Sequence, residues 1–200
     1  MKVLFVNGCI RSTQSRTLAI ADHFLAQLKK RRPDAEVSVA DLDALGLRPL
    51  TTLTLATRDA RIAAQTWDDP MFAEARRFAQ ADVIVIAAPF WEGTFPAALH
   101  TYIEHICVTG LTFRYGDRGE AIGLCRARRA VFINTKGGIY AHGPAQQADL
   151  AAQFLRVNLA MLGVPQLDTV TAEGLDIDGM DVPALLRRAK EDADALAATF

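Results

Sequence analysis

Short runs of apolar residues alternate along the chain with longer stretches in which apolar residues recur every three or four positions. The short runs predict buried strands, and the longer period predicts helices. Five strands are predicted, over residues 2–7, 36–40, 82–88, 129–134 and 166–171. Helices are predicted after Ser15 to about Arg32, from about Thr57 to Gln80 with an interruption at Asp69-Pro70, and over 95–107, 144–162 and 182–199. Residues 41–57 are predicted to form a long loop.

This alternation of strands and helices indicates βαβ units, and therefore a parallel sheet with helices on both faces. The third strand, Asp82–Ala88, is apolar on both faces, which is typical of a central strand. No repeat, linker or change of composition divides the chain. We therefore expect a single α/β domain over residues 1–200.

The composition favours an ordinary globular domain and excludes several functional classes. Of the 200 residues, 22 are Lys or Arg and 23 are Asp or Glu, which gives a net charge of −1 and argues against a nucleic-acid binder. No apolar run approaches the ~18 residues of a membrane-spanning helix, and the run Val3–Val6 is too short for a secretory signal. The 3 cysteines do not suit a disulfide framework. We expect a cytoplasmic protein that does not bind membranes.

Three loops are rich in residues that packing alone does not explain, and each follows a predicted strand. They cover residues 8–16, 89–95 and 135–143. In open α/β sheets, ligands bind outside the carboxyl ends of the strands. The three loops therefore define the expected binding site.

The first loop leads directly into a helix, whose free N–H groups and dipole favour an anion. The hydroxyls of Ser12, Thr13 and Ser15 add donors, and Arg11 or Arg16 adds charge. This pattern predicts a phosphate site, the alternative being that the hydroxyls only cap the helix. Neither the P-loop motif nor the dinucleotide fingerprint is present.

Cys9 in the first loop raises the question of cysteine chemistry, which takes two forms. A phosphatase of the low-molecular-weight phosphotyrosine type needs a cysteine six positions before its arginine, but Phe5 stands there before Arg11, and Cys9 lies seven positions before Arg16. That chemistry is excluded. Cys9 near a helix start is either a redox-active thiol or a small side chain beside the ligand.

The second and third loops have features that suit a flat ring. Phe90 and Trp91 precede Gly93 and are well placed to border a ring, unless they fill a gap in the core. Gly137 and Gly138 allow the backbone to approach a ligand closely. Their N–H groups, together with Lys136, could then donate to the electron-rich edge of the ring. The alternative is that the two glycines form a simple turn.

Five motifs occur in order: Ala88-Pro89, Phe95-Pro-Ala-Ala-Leu99, Tyr102-Ile-Glu104, Gly110-Leu-Thr-Phe-Arg-Tyr115 and Thr135-Lys-Gly-Gly138. In this order and spacing they resemble the FMN-dependent azoreductase and NAD(P)H:quinone oxidoreductase family. The resemblance implies a flavodoxin-like, doubly wound sheet of five parallel strands in the order 2-1-3-4-5. It also implies bound FMN, NADH or NADPH as co-substrate, and a homodimer in which the second subunit completes each active site.

Carried over by position, the resemblance places the FMN phosphate at the first loop and the isoalloxazine ring against the second and third loops. No metal site is expected. The expected cofactor-binding residues are Cys9, Arg11, Thr13, Gln14, Ser15, Pro89, Phe90, Trp91, Glu92, Gly93, Thr135, Lys136, Gly137 and Gly138. Two positions depart from the family, which often has Ser at position 9 and commonly has Asn at position 92. A carboxylate at position 92 opposes a flavin that becomes anionic on reduction, unless Glu92 faces away from the ring.

The reaction implied by the resemblance is reduction of an aromatic acceptor by NADH or NADPH through the flavin. Tyr140 and His142 are candidate proton donors or acceptor-binding residues, although protons from solvent would make both dispensable. Quinones, azo compounds, nitroaromatics and a dedicated biosynthetic substrate remain open as acceptors. A flavodoxin-like electron carrier without an organic substrate is the alternative function, and a cofactor-free interaction module is a third.

The residues of the helix predicted over 95–107 also point to a dimer, independently of the resemblance. Leu99, Tyr102, Ile103 and Ile106 form a wide apolar stripe beside the cofactor loop. Such a stripe is either buried between two subunits or used entirely in the chain's own core. The first alternative predicts a homodimer.

Overall fold

The strands of the chain form one five-stranded sheet and one small hairpin in the computed structural model, which describes residues 1–200. They are β1 (Lys2–Asn7), β2 (Glu36–Asp41), β3 (Val83–Ala87), β4 (Phe113–Tyr115), β5 (Ala121–Gly123), β6 (Arg129–Thr135) and β7 (Gln166–Ala172). The main sheet has the order β2-β1-β3-β6-β7, and every neighbouring pair is parallel. This confirms the predicted doubly wound α/β fold, because β6 and β7 are the fourth and fifth predicted strands.

Seven α-helices connect these strands or follow them. They are α1 (Arg16–Arg31), α2 (Leu42–Leu45), α3 (Thr52–Ala63), α4 (Ala73–Gln80), α5 (Ala97–Ile106), α6 (Ala151–Met161) and α7 (Val182–Ala197). Helices α1 and α7 pack side by side on one face of the sheet, and α4, α5 and α6 cover the other face. None of the helices is both long enough and apolar enough to span a membrane.

Successive side chains of a strand point to opposite faces of the sheet, so the central strands contribute to two separate hydrophobic cores. Val83 and Val85 of β3 pack toward α1 and α7, whereas Ile84 and Ile86 pack toward α4–α6. All five residues of β3 are buried. The continuous apolar run of the third strand thus corresponds to a strand that is buried on both faces, as predicted.

Between β2 and β3 the predicted boundaries were wrong. The region 41–57 is not one long loop, because Asp41 caps the short helix α2 and Thr51 begins α3. The side chains of Thr51 and Thr54 form a reciprocal capping box at that start. The interruption expected at Asp69-Pro70 is confirmed by a short 3₁₀ turn, Pro70–Phe72.

The hairpin β4–β5 and the start of α6 also differ from the sequence-based expectations. The hairpin was not predicted, because its strands have three residues each and only Phe113 is buried. The helix expected from residue 144 begins as a 3₁₀ turn over Pro144–Ala148, and its α-helical part starts at Ala151.

The apolar stripe of α5 belongs to the chain's own core. Leu99, Tyr102, Ile103 and Ile106 are all buried among residues of β3, β6 and α6. The interpretation of this stripe as a dimer surface was therefore wrong. The spacing of apolar residues indicates that one face of a helix is buried. It does not indicate whether that face is buried by the same chain or by a second subunit.

Candidate functional site

The parallel register brings the carboxyl ends of β1, β3 and β6 together at one edge of the sheet. Asn7 aligns with Ala87, and Ala87 aligns with Ile133. Hydrogen bonds then join the loops that follow: Gly8 N donates to Ala87 O at 2.8 Å, and Phe90 N donates to Thr135 O at 2.9 Å. The three loops singled out from the sequence therefore meet at one place.

A cleft of about 150 Å³ opens between these loops. It is lined by Arg11, Gln14, Ser15, Arg16, Thr17, Pro89, Phe90, Trp91, Thr135, Gly137 and Asp176. Eight of these eleven residues were expected to contact the cofactor, and the other three are Arg16, Thr17 and Asp176. Sites for drug-sized ligands usually have about 300 Å³ or more. The cleft by itself is therefore smaller than a site that encloses a ligand of that size.

The first loop offers an anion-binding start of α1. Ser15 caps the helix by accepting a hydrogen bond from Leu18 N at 3.2 Å. The backbone N–H groups of Arg11, Thr13 and Arg16 have no hydrogen-bond partner in the chain. Free N–H groups at a helix start, with the guanidinium of Arg11 beside them, match a phosphate group, whereas the guanidinium of Arg16 is held by Asp176.

Two of the expected cofactor-binding residues of the first loop, Cys9 and Thr13, do not line the cleft. Cys9 is buried, and its Sγ faces Ala87 O at 3.6 Å. Burial raises the pKa of the Cys9 thiol to about 11, so the thiol is protonated at neutral pH. The environment argues against the redox-active alternative considered for Cys9. The side chain of Thr13 is exposed beside the cleft.

The second loop contains a tight turn from Trp91 to Thr94. These two residues exchange both backbone hydrogen bonds, and Glu92 and Gly93 between them have φ of +51° and +79°. Positive φ at both central residues is what a type I′ turn requires, and Asn-Gly is its favoured sequence. Asn therefore suits position 92. The exposed Glu92 is held there in a left-handed backbone conformation that is unfavourable for Glu.

Aromatic rings connect the second loop to the third. The ring centroids of Phe90 and Tyr140 are 4.5 Å apart, with an angle of 53° between the planes. The Lys136 ammonium lies within 6 Å of both rings, at 5.6 Å and 5.7 Å from their centroids. This contact places Tyr140 next to a residue that lines the cleft, whereas His142 is exposed.

The third loop presents its backbone toward a ligand. The N–H groups of Gly137, Gly138 and Ile139 have no partner in the chain. A Cβ added at Gly137 would lie 2.4 Å from Asp176 Oδ2, and one at Gly138 would lie 3.2 Å from the Tyr140 ring. Side chains of Asp176 and Tyr140 thus lie directly against the two glycines, and Gly137 lines the cleft.

Lys136 points away from the cleft. Its side chain is 7% exposed, and its Nζ forms ion pairs with Asp149 at 2.6 Å and with Glu173 at 2.8 Å. The ammonium of Lys136 is therefore ion-paired with two carboxylates that do not line the cleft.

Sequence reasoning missed Asp176 and Glu173, which follow β7. Arg16 donates to Leu175 O at 2.8 Å and forms an ion pair with Asp176 at 2.7 Å, which places Asp176 at the mouth of the cleft. The rule that ligands bind at the carboxyl ends of the strands applies to the fifth strand as well as to the three that precede the loops of the cleft. The acidic run after Ala172 was the available signal.

Comparison with known proteins gives a consistent result. The model of a family described as having a flavodoxin-like fold matches residues 1–197. The chain belongs to this family. An FMN-dependent NADH:quinone oxidoreductase 2 of Clostridium acetobutylicum is 37% identical over 100% of this chain and 99% of its own length. An FMN-dependent NADH:quinone oxidoreductase of Caldicellulosiruptor saccharolyticus is 34% identical, again over 100% of this chain and 99% of its own length.

A solved structure supports the same assignment. An azoreductase from Bacillus anthracis superposes over 100% of both chains with a TM-score of 0.90 and 26% identity. The flavodoxin-like fold expected from the motifs between residues 82 and 140 is confirmed over the whole chain. The family model and the solved structure therefore agree on the fold over nearly the whole chain.

Proposed function

We propose that this protein is an FMN-dependent NADH:quinone oxidoreductase of the azoreductase type. The observation that carries the proposal is the cleft between the three loops, which combines an anion-binding helix start with free backbone amides and aromatic side chains. Full-length similarity to quinone oxidoreductases that are named for FMN and NADH supports it. When bound, FMN supplies the hydride chemistry between NADH and the acceptor.

The residues of the chain have the following roles in this proposal. Ser15 and the free N–H groups of Arg11, Thr13 and Arg16 hold the phosphate. Phe90 and Trp91 border the ring, and the amides of Gly137 and Gly138 donate to its electron-rich edge. The exposed carboxylate of Glu92 turns toward solvent, so that it does not oppose negative charge on the reduced ring.

Tyr140 and His142 are the proposed proton donors for the reduced acceptor. Tyr140 lies against Phe90 beside the cleft, and His142 follows at the exposed rim of the same loop. A quinone or an azo compound needs protons as well as hydride, and either side chain at this rim is in a position to supply them. Tyr140→Phe and His142→Ala should each lower the rate of acceptor reduction while leaving flavin binding intact.

We also propose that the protein forms a homodimer that completes each site. The cleft is too small for a whole flavin nucleotide, and apolar side chains beside it face solvent. Trp91 is 37% exposed, Leu150 is 48% exposed and Val157 is 65% exposed. Leu150 N donates to Gly93 O at 2.9 Å, which places the start of α6 next to the second loop. A second copy on this surface would cover both the apolar patch and the open side of the cleft.

The experiment is an assay of NADH oxidation by the FMN-loaded protein, with and without added benzoquinone or an azo dye. Oxidation that depends on the acceptor and continues for many turnovers supports the enzyme. An electron carrier would instead be reduced once per flavin and would then need a protein partner. The nearly balanced charge of the chain favours the enzyme, because carriers usually use a marked charge asymmetry for docking.

A further inference from the structure

The segment that follows β7, residues 173–176, is bound along the third loop. Three backbone hydrogen bonds join the two: Leu175 N to Lys136 O at 3.2 Å, Asp176 N to Gly137 O at 3.0 Å, and Gly174 N to Gly138 O at 2.9 Å. All three use carbonyl groups of the loop. They leave the N–H groups of Gly137 and Gly138 pointing elsewhere, without a partner in the chain.

Glu173 supplies the side chain that completes this arrangement. One carboxylate oxygen, Oε1, accepts from Lys136 Nζ at 2.8 Å. The other, Oε2, accepts from the backbone N–H groups of Tyr140 at 3.1 Å and Ala141 at 2.9 Å. The side chain is 15% exposed, and hydrogen bonds to a charged group are strong when they are sheltered from water. Glu173 therefore fixes the loop on both sides of the two glycines.

We propose that Glu173 is a positioning residue for the flavin ring. It lines no part of the cleft, but it holds the ends of the segment 136–141 so that the free amides of Gly137 and Gly138 are ordered before the ring arrives. This inference rests on the proposed function, because it assumes that the third loop meets the ring. Preorganised donors bind more tightly because the entropy of ordering them is not lost on binding.

The chain contains a matched control. Asp149 binds the same ammonium as Glu173, at 2.6 Å, but accepts no backbone N–H from the third loop. Asp149→Asn therefore removes one ion pair of Lys136 and leaves the loop amides held. Glu173→Ala removes both the ion pair and the loop contacts. Glu173→Gln keeps a carbonyl oxygen for the two amides, but its NH2 group cannot accept from the Lys136 ammonium, so the ion pair is lost.

The test measures the Kd of the apoprotein for FMN and for riboflavin, by the quenching of flavin fluorescence. Glu173→Ala should raise both Kd values by about tenfold or more, the effect of losing one hydrogen bond to a charged group. The factor should be the same for the two ligands, because the third loop faces the ring and not the phosphate. Glu173→Gln should lose less, and Asp149→Asn should change Kd by less than about threefold. Unchanged Kd values in Glu173→Ala, or an equal loss in Asp149→Asn, would overturn the proposal.

A second measurement needs no ligand. Hydrogen exchange of the Tyr140 and Ala141 amides in the apoprotein should be faster in Glu173→Ala than in Asp149→Asn, at equal global stability. Equal exchange in the two variants would mean that Glu173 does not hold the loop. Failure of the wild-type protein to bind any flavin would instead contradict the proposed function. The two failures are thus distinguishable, and if the alanine variant does not fold, Glu173→Gln replaces it in the Kd measurement, where unchanged Kd values would again overturn the proposal.

Discussion

The hydroxyl oxygens of Thr17 and Thr135 lie 2.5 Å apart, and both side chains are buried. This contact joins the first turn of α1 to the end of β6. Thr135 also accepts from Phe90 N through its carbonyl oxygen, so one residue links all three loops of the cleft. The geometry of the site therefore depends on a contact between two residues that line the cleft.

The Thr17–Thr135 contact predicts non-additive effects on stability. Thr17→Val or Thr135→Val alone leaves a buried hydroxyl without its partner, which costs about 1–3 kcal/mol in the free energy of unfolding. The double variant removes both hydroxyls at nearly constant volume and should recover much of that loss. Urea denaturation of the four proteins measures the coupling. Strictly additive losses would show that the two hydroxyls do not depend on each other.

Ser15 allows the phosphate contact to be separated from helix capping. Asp is as good a helix cap as Ser, so Ser15→Asp should leave the thermal stability nearly unchanged. Its carboxylate would stand where the phosphate is expected, and FMN affinity should fall by about two orders of magnitude, as repulsion of about 3 kcal/mol implies. Riboflavin, which has no phosphate, should bind with little change. If both flavins lost affinity equally, the phosphate would lie elsewhere.

Glu92→Asn should stabilise the protein. Glu92 has φ of +51° in the turn of the second loop, a conformation that costs an ordinary residue about 1 kcal/mol more than it costs Asn. The melting temperature should therefore rise. Gln65 is the matched control, because it has φ of +52° at the end of α3 and takes no part in the cleft. Gln65→Asn should give a similar rise in melting temperature and should leave flavin binding unchanged, because Gln65 does not line the cleft. No rise in either variant would contradict the strain argument.

The three cysteines should be unreactive in the folded protein. Burial raises the pKa of Cys9 and Cys107 to about 11 and that of Cys125 to about 12, from an ordinary value of 9.0. In the unfolded chain these thiols ionise at lower pH than in the fold, so the free energy of unfolding should fall as the pH rises above 9. A thiol reagent at pH 8 should react with none of them until denaturant is added. Rapid modification of Cys9 in the native state would restore the redox alternative.

The sequence was sufficient for the fold and for the position of the site, but not for the roles of individual side chains. Continuous apolar runs identified the central strands β1, β3 and β6, which are buried on both faces, whereas the exposed edge strand β2 was identified by its alternation of apolar and polar residues. The hairpin around Phe113 left no such signal. The roles of Lys136 and Glu173 could not be predicted from the sequence. Their ion pair joins residues that are 37 positions apart, and it depends on the pairing of β6 with β7.

The proposed dimer surface gives a prediction with an internal control. Val157→Asp places a charge in the exposed apolar patch beside the second loop and should shift the protein toward monomers with weaker FMN binding. Val39→Asp changes a residue of similar character on the edge strand β2, where Val39 is 51% exposed and distant from the cleft, and should leave the oligomeric state unchanged. Sedimentation velocity distinguishes the species. A wild-type monomer with full activity would contradict the shared site.

The most direct test of the account is to restore FMN to the apoprotein in measured steps and to follow NADH oxidation with benzoquinone at each step. The account predicts that the rate is close to zero without FMN, rises in proportion to the FMN added, and reaches its plateau at one FMN per chain. Acceptor-dependent turnover in the absence of FMN, or no turnover at full occupancy, would contradict it.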